Sequence, residues 1–585
     1  MIVAMKKITV IVQEKDADFA VTGLRTLGVL HVEHQKAPSG KDMGELQDNI
    51  TLINQAIGVL SEPEFFQGEA QSSKELSDWK LTAYHIIDMR KRYEQLKEYS
   101  LTLKNMISQW EPWGDFDPQA FKELSARNIY ARLYQIPDKE LKGFSGEVIV
   151  KKVSVAGGIA NCFLISRQKT EIPFKELNLP KMGLKKMQSR LAEDTRVIET
   201  IKQEIIKHRS YLEDLLSKAR FLEKELELYQ ARTGMGQVGS IVYLTGYSPG
   251  DTVDTLLGVA KKEKWGMMVN DPSEEDQVPT LIRNPRWVAI IQPVFKLLGI
   301  IPGYRELDIS PLFLIFLSLF FGMIIGDAGY GAAYFLLAFW LHKKFRTKLK
   351  DTRIFFLIYL FSACAIFWGL LTGTVFGQEW YLKAGLKPFI PILNDTKFLQ
   401  AFCFFLGALH LTLAHGWQAA RKLPSLTAFA DIGWVLVLWA AFFLAKTLIL
   451  NDPFPKQGKW LIITGLALVI LCSSPQKNIF KMVGQGLGTV ALSLVNNFTD
   501  VVSYVRLFAV GLAGVAIADT VNSLAAGLGG GNNLAGFMIL FIGHAINIVL
   551  GPMSVLVHGI RLNVLEFSGH AGLSWSGVGY KPLQE

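Results

Sequence analysis

From about residue 285 onward the chain carries seven apolar runs of membrane-spanning length, at approximately 312–341, 354–377, 398–418, 428–450, 458–473, 484–527 and 534–567. A bilayer span needs about 20 mostly apolar residues, with every backbone polar group satisfied inside its own helix. Residues 1–285 are instead rich in Lys, Glu and Arg. The expectation is an α+β cytoplasmic domain over 1–285 followed by an all-α polytopic membrane domain over 286–585. The net charge of +9 fits Lys- and Arg-rich cytoplasmic loops. No basic stretch with interleaved aromatics argues for nucleic acid. Cys162, Cys364, Cys403 and Cys472 are scattered and imply neither a disulfide framework nor a metal site. The opening MIVAMKKITVIVQEKDADFA is short, strand-like and quickly charged, unlike a signal peptide.

Loop charge orients the spans. HKKFRTKLKDTR (342–353) is strongly basic, RK (421–422) and QKNIFK (476–481) more weakly, while NDPFPKQGK (451–459) and GLGGGNN (527–533) are weak or neutral. Basic linkers alternate correctly, but they place the start of 312–341 outside. A cytoplasmic N-terminal half must then cross once more before it. The only stretch available is WVAIIQPVFKLLGIIPGY (287–304), short and carrying Pro293 and Lys296. Counted as a span it gives about eight helices with both termini cytoplasmic; as an interfacial helix it leaves seven. The last two runs are long enough to cross at a steep tilt.

In the first half, KKITVIVQ (6–13), DADFAVTGLRTLG (16–28) and VLHVE (29–33) read as strand, helix and strand, with Gly28 ending the helix. SIVYLTGYSP, DTVDTLLGVAKKEKWG and MMVND repeat the pattern over 240–271. The two pieces predict one proximal α/β lobe from 1–40 and 235–285. NIYARLYQIP, GEVIVKKVSV and NCFLISR predict strands of a distal lobe over 111–178. Between them, Leu184, Met187, Leu191, Ile198, Ile201, Ile205, Leu212, Leu215, Leu222 and Leu226 keep a heptad seam, broken at Asp194, His208 and Ala219. Ile86, Met89, Tyr93, Leu96, Leu103, Ile107 and Trp110 keep the same phase, with Ser100 polar. The predicted arrangement is a long antiparallel coiled-coil hairpin (42–110 and 180–233) joining the lobes, about 75 Å for 50 helical residues. A homodimeric coiled coil is the alternative.

Arg506 lies about midway along 484–527. A guanidinium stays charged and costs about 2.5–3.5 kcal/mol at the bilayer centre even on lenient scales. It could be a packing arginine paired with a carboxylate, or snorkel to an interface, although snorkelling is hard from a central position. Arg561 stands in the final run, with His558 one turn before it and Glu566, a possible partner for Arg561, five residues after. Arg506 has no carboxylate beside it in its own helix. Asp327 is one internal candidate, and a carboxylate on another subunit is the other.

SYVRLFAVGLA (503–513), VHGIRLNVLEF (557–567), FFGMIIGDAGYG (320–331), TGTVFG (372–377) and LGALHLTL (406–413) together resemble subunit I of bacterial and archaeal V/A-type ATPases, the counterpart of the eukaryotic V-ATPase a subunit. The resemblance extends to the opening MKKITVIV…GVLHVE, the coiled-coil middle and RNPRWVAIIQPVFKLLGIIPGYRELDISP (283–311). It implies a non-catalytic membrane stator pressed against a rotating proteolipid (c/K) ring, whose lipid-facing carboxylates are reached by two offset half-channels. Arg506 would then favour the anionic form of each passing carboxylate, which is otherwise kept protonated by desolvation. Arg561 would be the second arginine and His558 a half-channel histidine, or else a structural one. Asn496 matches a polar position on the cytoplasmic side. Asp327 matches an acid of the outer half-channel, with Glu306 near that mouth. Asp500 stands at a frequent acidic position, lining an access path or capping a surface. Implied partners are peripheral-stalk E/G-type coiled coils, a central-stalk d/C-type subunit, the catalytic A3B3 head indirectly, and the lipid bilayer.

Gly551, Gly514 and Leu492 replace polar residues of some relatives, so the resemblance assigns no relay in the cytoplasmic half-channel. No GxxxxGK[ST] occurs, no cofactor is implied, and ATP chemistry belongs to partner subunits. A secondary transporter with a coiled-coil regulatory domain is the rival reading, although no matched repeat is present. A membrane-anchored scaffold would explain the coiled coil but not Arg506.

Overall fold

The computed structural model describes residues 1–66, 78–143, 148–168, 172–346, 349, 351–378, 390–475, 478–529 and 533–584. Lys348, Lys350, Gln476, Lys477 and part of the 527–533 linker, used above for loop charge, lie outside them. The chain divides into two compact units, one of Met1–Val10, Val29–Glu33 and Thr245–Pro582, the other of Ile11–Gly28, His34–Leu244 and Leu583–Glu585.

Strands from both ends of the first 285 residues form one five-stranded sheet. β1 (Met5–Gln13), β2 (His31–Glu33), β8 (Ile241–Pro249) and β9 (Gly266–Asn270) lie in the order β2-β8-β1-β9, and β7 (Gly236–Val238) adds to β8. This is the strand order of a split βαβ, ferredoxin-like unit, with α1 (Ala17–Leu27) and α7 (Val253–Lys262) as the two crossovers. Gly28 closes α1 at φ +64°, a conformation that suits glycine.

In the second unit, α2 (Lys41–Leu60), α3 (Trp79–Trp110), α5 (Leu184–His208) and α6 (Leu212–Thr233) pack α3 on α5 and α2 on both α6 and α3. Asp78 caps α3 by accepting the backbone N–H of Lys80 and Leu81. Of the heptad residues, Ile86, Met89, Tyr93, Leu103, Trp110, Met187, Ile201, Ile205, Leu215 and Leu222 are buried. The polar breaks Ser100 and Asp194 are buried with them, Asp194 held by Arg190 one turn earlier at 3.2 Å. A tighter 3-10 turn at Arg209–Tyr211 interrupts the predicted 50-residue helix. β3 (Tyr130–Pro137), β4 (Ile149–Ala156), β5 (Ile159–Ser166) and β6 (Lys175–Leu177) form an antiparallel sheet in the order β4-β5-β3-β6, beside α4 (Pro118–Ala126).

Five helices in the C-terminal half are long and apolar enough to cross a membrane, among the described residues. They are α12 (Arg353–Thr372), α13 (Thr396–Lys422), α14 (Thr427–Leu450), the 49-residue stretch Ile479–Gly527 and the 38-residue stretch Leu534–Ala571. The first long stretch is α16 (Ile479–Ser503) and α17 (Val505–Gly527), jointed at Tyr504. The second is α18 (Leu534–Ser554), two π-helical stretches and α19 (Ser568–Ala571). Shorter helices are α10 (Ser310–Ile325), α11 (Ala328–Phe345) and α15 (Lys456–Cys472).

Two expectations need correction. Residues 287–304 do not form a span: they hold only α8 (Arg286–Ala289) and α9 (Gln292–Leu298). Seven helical residues reach about 10 Å, far short of a bilayer core of about 30 Å. The apolar run 312–341 is not one span but two helices. Gly326, at φ +63°, closes α10 by bonding Gly322 O, and Asp327 then caps α11 by accepting Tyr330 N–H at 3.0 Å. Phe321, Gly322 and Gly326 neighbour Phe361, Cys364 and Thr374 in the same order along the chain, so α10 runs with α12. Ala328, Gly331 and His342 neighbour Gly369, Ile366 and Phe355 in the reverse order, so α11 runs against α12.

Candidate functional site

Arg506 opens α17 just after the Tyr504 joint, and Glu566, not Asp327, is its carboxylate partner, at 3.3 Å from Nη2 to Oε1. The same Oε1 lies 3.5 Å from Arg561 Nε. Arg561 is bracketed by the π-helical stretches Val555–Gly559 and Leu562–Phe567. In an α-helix residues five apart diverge; the wider i→i+5 turn brings them round to neighbouring faces. Glu566 is therefore where the spacing to Arg561 allowed, but it serves two cations. Its side chain is 4 % exposed, against 24 % for Arg506 and 54 % for Arg561. Two guanidiniums over one carboxylate leave the cluster positively charged. His558, within the first π stretch, is half-buried.

Near the end of α16, on the N-terminal side of Arg506, a polar cavity of about 350 Å³ is lined by Asn496, Asn497, Asp500, Glu566, His415 and His570, with Asp431 and Gln418 alongside. His570 Nε2 is 3.0 Å from Asp500 Oδ2, and His415 Nε2 is 2.9 Å from His570 Nδ1. His415 Nδ1 faces Asp431 Oδ1 at 3.6 Å, and Lys422 Nζ lies 2.7 Å from Asp431 Oδ2. Asn496, Asp500 and Glu566 were singled out in the sequence; His415, Asp431 and His570 were not. LGALHLTLAH carries two histidines five residues apart in an apolar run, which was a signal available to reading.

A second polar group lies on the other side of Arg506. Tyr330 Oη is 2.7 Å from His544 Nδ1, His544 Nε2 is 3.1 Å from Asn522 Oδ1, and Asn547 Nδ2 donates to Tyr330 Oη at 3.0 Å and to Gly514 O at 2.9 Å. None of these residues was predicted. Asp327 stands beside them, 1 % exposed, accepting the N–H groups of Tyr330, Phe376 (2.9 Å) and Gly377 (2.7 Å). Along α17, positions 514–522 are about 12–24 Å past Arg506, and 496–500 are about 9–15 Å before it. Glu306 does not share a mouth with Asp327. The sixteen residues of α10, about 24 Å, separate them. Glu306 instead accepts Gly303 N–H at 2.7 Å and Ser574 N–H and Oγ–H at 2.7 and 2.6 Å.

No family model matches the chain. It is 30 % identical over 617 residues to the V-type ATP synthase subunit I of Borreliella burgdorferi, each chain covered completely. The chain belongs to the V/A-type ATP synthase subunit I family. It is likewise 30 % identical to the V-type ATP synthase subunit I 1 of Treponema pallidum, with full coverage of both, and 27 % identical to the A-type ATP synthase subunit I of Pyrococcus abyssi over 71 % of this chain and 64 % of that one. A solved structure of the cytoplasmic N-terminal domain of subunit I of V-ATPase matches 45 % of this chain and 99 % of its own, at 15 % identity and TM-score 0.24.

For a subunit I, two of the three departures line one cavity, and one of them, Gly551, is sterically confined. The cavity, of about 130 Å³, is formed by Gly514 and Gly551 with Tyr330, Tyr334 and Asn547. A Cβ on Gly551 would meet Tyr334 Oη at 2.7 Å, so the tyrosine hydroxyl occupies the space of a longer side chain. Leu492 is 78 % exposed and touches neither polar group.

Proposed function

We propose that this subunit I is the membrane stator of a rotary V/A-type ATPase or ATP synthase, and that it conducts ions to and from a proteolipid ring through two half-channels. The observation that carries the reading is the position of Arg506 between two polar groups on opposite sides of it along one helix, with the Asn496–Asp500–His570 cavity on one side and the Tyr330–His544–Asn547 network on the other. An ion cannot pass from one to the other without meeting a cluster of net positive charge. A ring carboxylate can, because the guanidinium favours its anionic form on arrival and so drives release of its ion. Glu566 holds Arg506 by a single contact and shares itself with Arg561, so Arg506 keeps charge to offer.

The ring would lie against the two long helical stretches, the least covered of the five: 28 % of the apolar window of Ile479–Gly527 and 11 % of that of Leu534–Ala571 are buried, against 50 % for Thr396–Lys422. Eight crossings follow from α10 to α19, with the α10–α11 pair supplying the crossing sought at 287–304. Both termini are then cytoplasmic. The lobes would bind peripheral-stalk coiled coils and the central-stalk subunit, with α2, α3, α5 and α6 acting as the coiled-coil hairpin. ATP chemistry stays on the catalytic head.

The test is Arg506→Lys in the assembled complex, followed by ATP-driven ion uptake into membrane vesicles. Lysine can lose its proton in this setting and arginine cannot. Uptake should vanish while the complex assembles and its detached soluble part still hydrolyses ATP. Coupled uptake at the wild-type rate would sink the reading.

A further inference from the structure

We propose that residues 286–298 are a lipid-binding foot. The α8–α9 segment lies along the cytoplasmic face of the bilayer, seats Trp287, Leu297 and Leu298 at the boundary between headgroups and acyl chains, and takes anionic phospholipid headgroups on Arg286 and Lys296. This rests on the membrane placement in the reading above, not on its ion path.

The segment buries one set of apolar residues and leaves another bare. Val288, Ala289, Ile291, Val294 and Phe295 are buried. Phe295 sets its ring edge-on to Phe313 in the first turn of α10, with centroids 5.0 Å apart, and to Trp575 of the tail at 5.9 Å. Leu297, by contrast, is 72 % exposed, Trp287 57 % and Leu298 36 %. Arg353, the first residue of α12, donates to Gln292 Oε1 at the first residue of α9. About 20 Å of near-continuous helix is thus pinned across the starts of two spans, α10 and α12.

Lipid is the cover that the surroundings supply. Both spans start on the cytoplasmic side in that reading, and the apolar exposure runs on into them. Ile315 on α10 is 52 % exposed, and Ile354 and Phe356 on α12 are 37 and 52 % exposed. The ring is assigned to the two long helical stretches, and neither α8 nor α9 belongs to them. Trp340, exposed near the basic end of α11, and Trp417, exposed near the basic end of α13, mark the same cytoplasmic boundary. Amphipathic rings collect at headgroup level on a membrane protein, and Trp287 continues that belt.

Charge names the kind of lipid. Arg286 directly precedes Trp287 and Lys296 directly precedes Leu297, and both are exposed without an ion pair among the described residues. Lys343, Lys344 and Arg346 are exposed at the end of α11, with Lys344 over the Trp340 ring at 5.1 Å. A protein covering this face would have to strip such charges of water, and the cores of protein interfaces are depleted of lysine. At a membrane the stems lie along the apolar layer while the charged heads meet phosphate. The strap before α8 links the foot to the start of the chain: Val3 N–H donates to Leu281 O at 2.9 Å, and Arg283 N–H to Met1 O at 3.0 Å. Lipid held at α8 therefore steadies the segment that leads into β1.

The test uses the full chain in lipid nanodiscs, which leave both faces of the bilayer open. Cys162, Cys364, Cys403 and Cys472 are replaced by serine, and a bimane is attached at Leu297→Cys, or at Trp287→Cys should the first variant fold poorly. Quenching by aqueous iodide is compared with quenching by phosphatidylcholine or phosphatidylglycerol carrying a nitroxide high on the acyl chain. Both lipids should quench and iodide should not. Phosphatidylglycerol should act at an about fivefold lower mole fraction or better, the ratio that one basic residue near an anionic surface confers. Arg286→Gln combined with Lys296→Gln should erase that ratio and leave quenching by both lipids. For comparison, a bimane at Phe356→Cys on α12 should answer to lipid, and one at Met268→Cys on β9, an exposed position, to iodide. Iodide quenching at 297 that matches Met268→Cys, protection from all three quenchers, or equal potency of the two lipids overturns the inference and leaves the half-channel reading standing. If Phe356→Cys also answers to iodide and not to lipid, the membrane placement fails, and the half-channel reading fails with it.

Discussion

Asp327 spends its charge on the backbone. Its carboxylate closes α11 and fixes the Phe376–Gly377 turn through three N–H groups in a site almost sealed from solvent. Hydrogen bonds to a charged acceptor are worth about 1.5–3 kcal/mol each when buried, so Asp327→Ala should cost about 3 kcal/mol or more. Thermal unfolding of the detergent-solubilised chain, without any ring, reads this directly; a residue acting only on ions in transit would leave that temperature unchanged. Glu566 invites the complementary test. Glu566→Gln strands two guanidiniums and should destabilise the membrane helices by about 3–5 kcal/mol. Adding Arg561→Gln should return part of the loss, and a double-mutant cycle showing no coupling would refute the shared pairing. The Arg561–Glu566 relation was legible because both lie on one short stretch. Arg506–Glu566 was not, since sixty residues intervene and no periodicity links separate helices. The His415–His570 contact, 155 residues apart, was hidden for the same reason.

The elements were legible where local chemistry sets them. Apolar phase placed α3, α5 and α6, and Gly28 ended α1 as its lack of a Cβ permits. Length misled where hydropathy was read without punctuation. Gly326-Asp327 is a helix stop followed by a helix start, yet the apolar run on either side masked it. The C-terminal tail escaped sequence reading altogether, because its pairing is tertiary: Ser576 bridges to Ile301, Gly579 to Thr280, and Tyr580 Oη donates to Val29 O at 2.6 Å. Glu306 fastens this tail. Burial alone would raise its pKa, but the bonds from Ser574 and Gly303 outweigh burial and hold it below the ordinary value. A depressed carboxylate stabilises above its unfolded pKa, about 4.3, and the contribution is lost as pH falls through the lower folded value. The protection factors of the Ser574 and Gly577 amides, taken relative to the intrinsic exchange rate at each pH, should therefore fall on acidification into that range, and in Glu306→Ala by about tenfold at neutral pH. Unchanged protection in Glu306→Ala would mean that the strand bridges alone hold the tail.

At the scale of the whole molecule, the α10–α11 hairpin decides which side every later loop faces. Counted as one crossing without 287–304, the run 312–341 gives seven spans and puts the loops after it on the opposite side from the count of eight, relative to a cytoplasmic N-terminal half. The short helices make this a real question, since α10 and α11 are about 24 and 27 Å long, slightly under a bilayer core of about 30 Å. Such a mismatch is tolerated at modest cost by local thinning. Charge favours two crossings: His342, Lys343 and Lys344 close α11, and Arg421 and Lys422 close α13, so both ends belong on the cytoplasmic side. In a background with Cys162, Cys364, Cys403 and Cys472 replaced by serine, single cysteines at Ser425 and Lys456, both exposed, separate the two counts. A membrane-impermeant maleimide should label Lys456→Cys in intact cells and Ser425→Cys only in inverted vesicles. The reverse pattern would mean that residues 310–345 cross once, and would place Asp327 and Arg506 on routes that the half-channel reading cannot use.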